Sequence, residues 1–248
     1  MIRRVVIAAA LAGAALRSGT AQTPPMNASA VAPAPDRSIT VTLVTFGLGQ
    51  EVFERFGHNA LWFHDAATLQ DSAYHWGLFS FNEPGFLLRF LTGDTNYWMG
   101  AVDARQLVES GRSRGRPVTL QRLNLTPAQA LQLREVVRTN AREENKFYRY
   151  DYFGDNCSTR LRDALDGVLG GAIKRATDTV VTTLSYRSES VRLTDGNVPV
   201  QAGIDVALGR PADVPLTRWQ SFFIPMGLRD AVRTIRVLDA TGASVPLV

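Results

Sequence analysis

Two stretches of strict alternation constrain the fold most. Residues 58–64 (HNALWFH) and 73–81 (AYHWGLFSF) are joined by a polar connection at 65–72. A period of two puts His58, Ala60, Trp62 and His64 on one face, with Asn59, Leu61 and Phe63 on the other. His75 and Gly77 share a face in the second run. The two runs read as strands of one hairpin. Residues 39–46 (ITVTLVTF) alternate in the same way and are rich in β-branched residues, and 96–102 and 117–124 add two further strands. Helices are expected at 104–110 and from Thr126 to about 144, where Thr126-Pro127-Ala128-Gln129 carries a capping box and a proline in the first turn.

The second constraint is a helical stripe. Cys157, Leu161, Ala164, Leu165, Val168 and Leu169 recur at the spacing of one helical face, and Gly170 and Gly171 end it. Antiparallel strands with separate helices make an α+β chain. Beyond Gly171 the character changes. Residues 180–193 and 198–208 read as strands or extended loops, and 219–225 and 234–238 as strands. Residues 172–248 are therefore expected to form a β-rich C-terminal extension packed on a thiol domain spanning 38–171.

The N-terminus reads as a secretory signal at 1–21. Arg3 and Arg4 precede an apolar run at 5–16, and small residues lead to Ala21. An Ala/Pro-rich linker at 22–37 follows. The expected location is the periplasm. The formal charge of +4 includes Arg3, Arg4 and Arg17, and without residues 1–21 it falls to +1. That balance and the absence of a nucleic-acid motif argue against nucleic acid as a partner. Export makes the cysteine count informative, because exported cysteines are usually paired. Cys157 is the only cysteine, so it is either a buried passenger or a reactive thiol.

A thiol in the first turn of a helix meets unpaired N–H groups and the positive end of the dipole, which favour the thiolate. A thiol nucleophile also needs a base and a group to orient that base. His58 is the candidate base. His75 across the hairpin is the candidate orienting group, with Asp71 as its rival. His64, next to Asp65, is assigned a structural role. Asn156 is placed to cap the helix, the Cys157 N–H to donate to an oxyanion, and Arg160 to support the site or bind an anionic substrate group. A zinc site built from the three histidines and Cys157 is the metal alternative, but the 58–64–75 spacing matches no compact zinc motif. No cofactor is expected. Gly111-Arg112-Ser113-Arg114-Gly115 fits G-x-S-x-G, but its helix precedes and its strand follows, the reverse of a serine-hydrolase elbow. Arg112, Arg114 and Arg116 of this stretch are weighed as contacts to phosphate or lipid headgroups against a solvated loop, and the solvated loop is preferred. Phe86, Leu87, Leu88, Phe90 and Leu91 are weighed as an acyl groove against ordinary core.

The runs FGHNALWF, YHWGLFSF, the Thr-Pro-x-Gln helix, YDYFGDNCSTRLRD, and later GIDVALGRPADVP with FFIP resemble the Lnb N-terminal periplasmic domain family, over about residues 38–228. The resemblance implies a papain-like, circularly permuted NlpC-type antiparallel sheet, with the histidine strand ahead of the cysteine helix. It implies chemistry similar to that of lecithin retinol acyltransferase-like proteins, which also place Asn-Cys at the helix start. It further implies lipoprotein N-acyltransferase-like transfer of an acyl chain through a cysteine thioester, with Cys157 matching the nucleophile, His58 the base and His75 a variable polar site. The implied partner is a phospholipid or lipoprotein acyl substrate at the membrane surface. Larger members carry C-terminal membrane helices that this sequence lacks, which leaves room for a membrane-anchored partner. The rival readings are a peptidoglycan peptide hydrolase and a non-catalytic envelope binding domain.

Overall fold

The structure is a computed structural model that describes residues 39–80 and 96–248. Signal, linker and the 86–91 apolar run lie outside the described residues. A six-stranded antiparallel sheet runs through strands β1 (Ile39–Phe46), β2 (His58–Asp65), β3 (Gln70–Leu78), β4 (Asn96–Asp103), β5 (Val118–Arg122) and β6 (Phe147–Arg149). Their spatial order is β5-β1-β2-β3-β4-β6. The expected hairpin is β2–β3, with Leu61 opposite Tyr74 and His64 opposite Asp71. On the far side of β2, Phe46 pairs with His58.

Both sheet faces are covered, and alternation decides which residue goes where. Val41, Leu43, Leu61, Phe63 and Trp76 join a large core with Leu133, Val137, Leu161 and Leu165. Those last four come from helices α2 (Pro127–Asn140) and α3 (Cys157–Val168). Val44, Phe46 and Ala60 turn the other way, onto Val108 of helix α1 (Ala104–Ser113). Helix α2 starts at the expected capping box: Thr126 accepts from Gln129 N, and the Gln129 side chain accepts from Thr126 N. Helix α3 buries the expected stripe, with Leu161 and Leu165 fully enclosed. Each such leucine contributes about 2–3 kcal/mol of burial. The helix stops where Gly170 and Gly171 take φ of +61° and +83°, a conformation that a side chain disfavours, and Gly171 N donates to Asp166 O.

The C-terminal part is helical rather than β-rich, which corrects the sequence expectation. Residues 180–193 and 198–208, expected as strands or extended loops, contain helices α5 (Tyr186–Leu193) and α6 (Val198–Ala207), preceded by α4 (Ala172–Thr177). The expected strand at 219–225 gives way to α7 (Arg218–Ser221) and the start of α8 (Pro225–Ala231). The physical reason is capping. Ser185 and Ser188 form a capping box, and Asn197 accepts from Val200 N with a proline in the first turn. These starts override the weak strand preference of the valines that follow. Among the described residues of this part, strand pairing is confined to β7 (Arg236–Leu238) with β8 (Ser244–Pro246) and a single bridge between Val181 and Thr217. Phe222, Leu228 and Leu247 belong to the same core as Leu161. Among the described residues, no helix is long and apolar enough to cross a membrane.

Candidate functional site

Asn156 sets the position of Cys157. Its Oδ1 accepts from Ser158 N at 2.8 Å and Thr159 N at 2.9 Å, and its Nδ2 donates to Tyr152 O at 2.7 Å and Phe223 O at 2.9 Å. Thr159 Oγ1 accepts from Asn156 N at 2.8 Å. A buried amide with every strong partner made fixes the first turn and ties it to the C-terminal part. Cys157 is the first residue of that turn and is 7% exposed.

Asn59 joins the same turn to the sheet. It points to the apolar face of β2 and is fully buried. Its Oδ1 accepts from Thr45 Oγ1 at 2.8 Å, while its Nδ2 donates to Ser158 Oγ at 3.1 Å and to Pro225 O at 3.4 Å. Ser158 Oγ in turn donates to Phe222 O at 2.6 Å. One side chain thus links β1, β2, α3 and α8.

His58 and His75 stand on the opposite face, one on each strand of the hairpin. His58 Nε2 lies 2.9 Å from His75 Nδ1, with the rings edge-on at 5.0 Å between centroids. Gly77, on the same strand as His75, lies against the helix start. It takes φ +86°, and a Cβ there would lie 3.4 Å from Cys157 Cβ and 3.6 Å from Tyr150 Cε2. A cleft of ≈ 230 Å³ opens at this point, and Cys157, Asn156, His58, His75 and Gly77 all line it.

The rest of the lining has two characters. One wall is aromatic: Phe79 and Tyr97 are 5.1 Å apart, and Tyr97 stacks on Tyr150 at 4.3 Å. The other carries Glu54, Arg114 and Arg116. Arg116 is buried. Its Nε and Nη2 donate to Gly47 O at 3.1 and 3.0 Å, and its Nη1 faces Glu54 Oε1 at 3.5 Å. Arg114 Nη1 reaches the same Oε1 at 3.2 Å.

Burial dominates the electrostatics. It pushes the Cys157 thiol up to about 11, although the N–H groups of Asn59, Cys157 and Ser158 and the charge of Arg116 pull the other way. Desolvation therefore outweighs the pull of the helix terminus toward the thiolate. Burial also lowers His75 to about 4. His58 is held well below the usual histidine value by burial first, then by His75, Arg116 and Arg114. At neutral pH the site rests as a thiol beside two neutral imidazoles.

The other anticipated residues lie elsewhere. Arg160 forms a paired contact with Asp155, 2.7 Å on one oxygen, and its guanidinium covers the Tyr148 ring at 3.7 Å. It does not line the cleft. Asp71 accepts from Trp62 Nε1 at 2.7 Å and Arg105 Nε at 2.9 Å and is bonded to His64 Nδ1 at 2.9 Å, so it is His75 and not Asp71 that meets His58. Ser113 of the G-x-S-x-G match donates to Ser110 O on an exposed helix end. Among the described residues, no group of three or more His, Cys, Asp or Glu side chains is arranged to hold a metal ion. Sequence reasoning passed over Asn59, Glu54 and Tyr150, and the expected solvated loop is corrected at Arg116, which is buried. Asn59 had a signal, an amide on the face of Leu61 and Phe63. Arg116 had none, since its partners Gly47 and Glu54 lie more than 60 residues away.

No curated protein and no solved structure matches the chain. The profile of the Lnb N-terminal periplasmic domain matches residues 34–189, more than half of the chain, and covers the hairpin and the cysteine helix. The chain belongs to the Lnb N-terminal periplasmic domain family, and the protein is periplasmic.

Proposed function

We propose that this protein is a cysteine-dependent acyl-transfer enzyme of permuted papain-like architecture, acting on lipid acyl groups at the cell envelope. The observation that carries the reading is the 2.9 Å contact between His58 Nε2 and His75 Nδ1 in a cleft that Cys157 also lines. In the productive tautomer, His58 Nε2–H donates to His75 Nδ1, which leaves His58 Nδ1 unprotonated as the base. That is the third-group logic of a triad, with a neutral imidazole where a carboxylate or amide often stands.

A neutral resting pair implies that deprotonation accompanies attack. His58 takes the thiol proton as Sγ bonds to the ester carbonyl carbon. The carbonyl oxygen becomes an oxyanion, to which the Cys157 N–H donates. Collapse breaks the acyl C–O bond, and His58 returns the proton to the leaving alkoxide. The acceptor amine, or water, then attacks the thioester, His58 takes its proton, the C–S bond breaks, and the thiol is restored. The aromatic wall suits an apolar acyl chain.

The high thiol pKa favours the rival reading of a non-catalytic binding domain, since burial of this kind also marks an inert cysteine. The discriminating assay supplies phospholipid vesicles carrying a labelled acyl chain together with an amine acceptor. Transfer or release by the parent chain, lost in Cys157→Ala, supports the enzyme. Turnover only of peptidoglycan stem peptides redirects the reading to a peptide hydrolase, and turnover of neither contradicts it.

A further inference from the structure

The loop between β1 and β2 has its polarity inverted. Its single turn of 3-10 helix, Val52–Glu54, buries the acid and exposes the apolar residues. Glu54 is 4% exposed, whereas Val52 is 45% and Phe53 47% exposed, with Leu48 at 40% nearby. The turn is held from beneath. Gly49 N and Gly57 N both donate to Glu54 O, at 3.1 and 3.0 Å, and the Glu54 carboxylate meets Arg114 and Arg116. A buried ion pair therefore holds three large apolar side chains out toward water, an arrangement that water alone does not favour.

The position of the patch says what covers it. Phe53 lies on the cleft rim, 6.0 Å from the Phe79 ring. From there the rings of Phe79, Tyr97 and Tyr150 follow one another into the cleft, and Tyr150 lies against Gly77 beside Cys157. One apolar track thus runs from the exposed loop to the thiol. With Glu54 and Arg116 buried, the loop charges that reach solvent are Glu51, Arg55 and Arg114, one cation in excess, and half of the Arg114 side chain is exposed. Apolar side chains beside a cationic rim match an anionic bilayer surface. We infer that Leu48, Val52 and Phe53 dock the protein on anionic phospholipid and open the aromatic track directly onto the bilayer. This inference rests on the acyl-transfer reading for its purpose, but not for its test.

The full chain carrying Cys157→Ala is used, so that binding is read without chemistry. It is floated with vesicles of phosphatidylethanolamine and phosphatidylglycerol, and with phosphatidylcholine alone. The expected result is co-flotation with the anionic vesicles, reduced about tenfold by Leu48→Ser with Val52→Ser at an unchanged melting temperature. As a second readout, Val52→Cys in the same background carries a polarity-sensitive fluorophore, whose emission shifts to the blue on adding the anionic vesicles. Failure of the parent to float, equal flotation of the double variant, or unmoved emission overturns the inference. So does a dimeric parent that the double variant turns monomeric, which assigns the patch to a second copy. A chain that docks but never transfers acyl groups upholds the docking surface and removes the acyl-transfer reading.

Discussion

His58 Nε2 and His75 Nδ1 lie 2.9 Å apart across a β-hairpin, with their rings perpendicular. A bond between two neutral imidazoles fixes a tautomer only if one ring donates and the other accepts. In the proposed enzyme His58 donates, and its remaining nitrogen serves Cys157. Replacing His75 by alanine leaves that tautomer unfixed. We expect the acyl-transfer kcat to fall about 10²-fold with little change in KM. His75→Asn offers a carbonyl acceptor in place of the ring nitrogen and is expected to recover part of the loss, as read by steady-state kinetics at pH 7.5. An unchanged kcat in His75→Ala contradicts the positioning role.

The same pair makes stability depend on pH. Burial lowers His75 to about 4 from an ordinary 6.5, so between those values the unfolded chain binds more protons than the folded one. Stability is therefore fully present above about pH 6.5 and is lost as pH falls toward 4. The His75 contribution amounts to about 3 kcal/mol across that window, and His58 acts in the same direction. Urea unfolding at pH 7.5 and 4.5 measures it. His75→Gln, which has no titrating ring, is expected to flatten part of the difference.

Gly77 is expected to resist substitution for two reasons. Its φ of +86° strains any other residue, and an added methyl meets Cys157 Cβ at 3.4 Å and Tyr150 Cε2 at 3.6 Å. Those distances are ordinary contacts, so the cost of Gly77→Ala is mainly backbone strain of about 1–2 kcal/mol. The methyl also enters the cleft that the histidines and the thiol line. Activity should therefore fall by more than the melting curve alone accounts for, and full activity in a folded Gly77→Ala protein contradicts this geometry.

Burial of Cys157 predicts a quiet thiol. With its pKa pushed up to about 11 from 9.0, the thiolate fraction at pH 7.5 is about 100-fold below that of an unperturbed cysteine. Labelling of the folded protein by iodoacetamide should be slower by a similar factor, and should rise with pH well beyond the range where a peptide cysteine levels off. Fast labelling at pH 7.5 would indicate that the helix terminus prevails over burial.

Much of the site was legible because local patterns wrote it. Alternation placed His58 and His75 on neighbouring strands, and the stripe from Cys157 to Leu169 with its glycine stop located the helix. Both signals act over a few residues. Asn59 escaped notice and Arg116 was read as solvated because their roles depend on partners such as Ser158, Pro225, Gly47 and Glu54, which only the folded chain brings near. The C-terminal helices were misread because runs of valine suggested strands, while Ser185 and Asn197 supplied caps that the propensities ignored. The balance at the thiol was legible only in part. Helix position is visible in sequence, whereas the depth of burial that opposes it is not.

In the proposed enzyme Cys157 carries an acyl group during turnover. Incubation of the full chain with phospholipid vesicles, followed by intact mass measurement after rapid acid quench, tests it directly. The expected result is a mass increase equal to one fatty acyl group, removed by neutral hydroxylamine, absent in Cys157→Ala and strongly reduced in His58→Ala. An unmodified mass in the presence of demonstrated turnover, or an adduct that survives in Cys157→Ala, would contradict it.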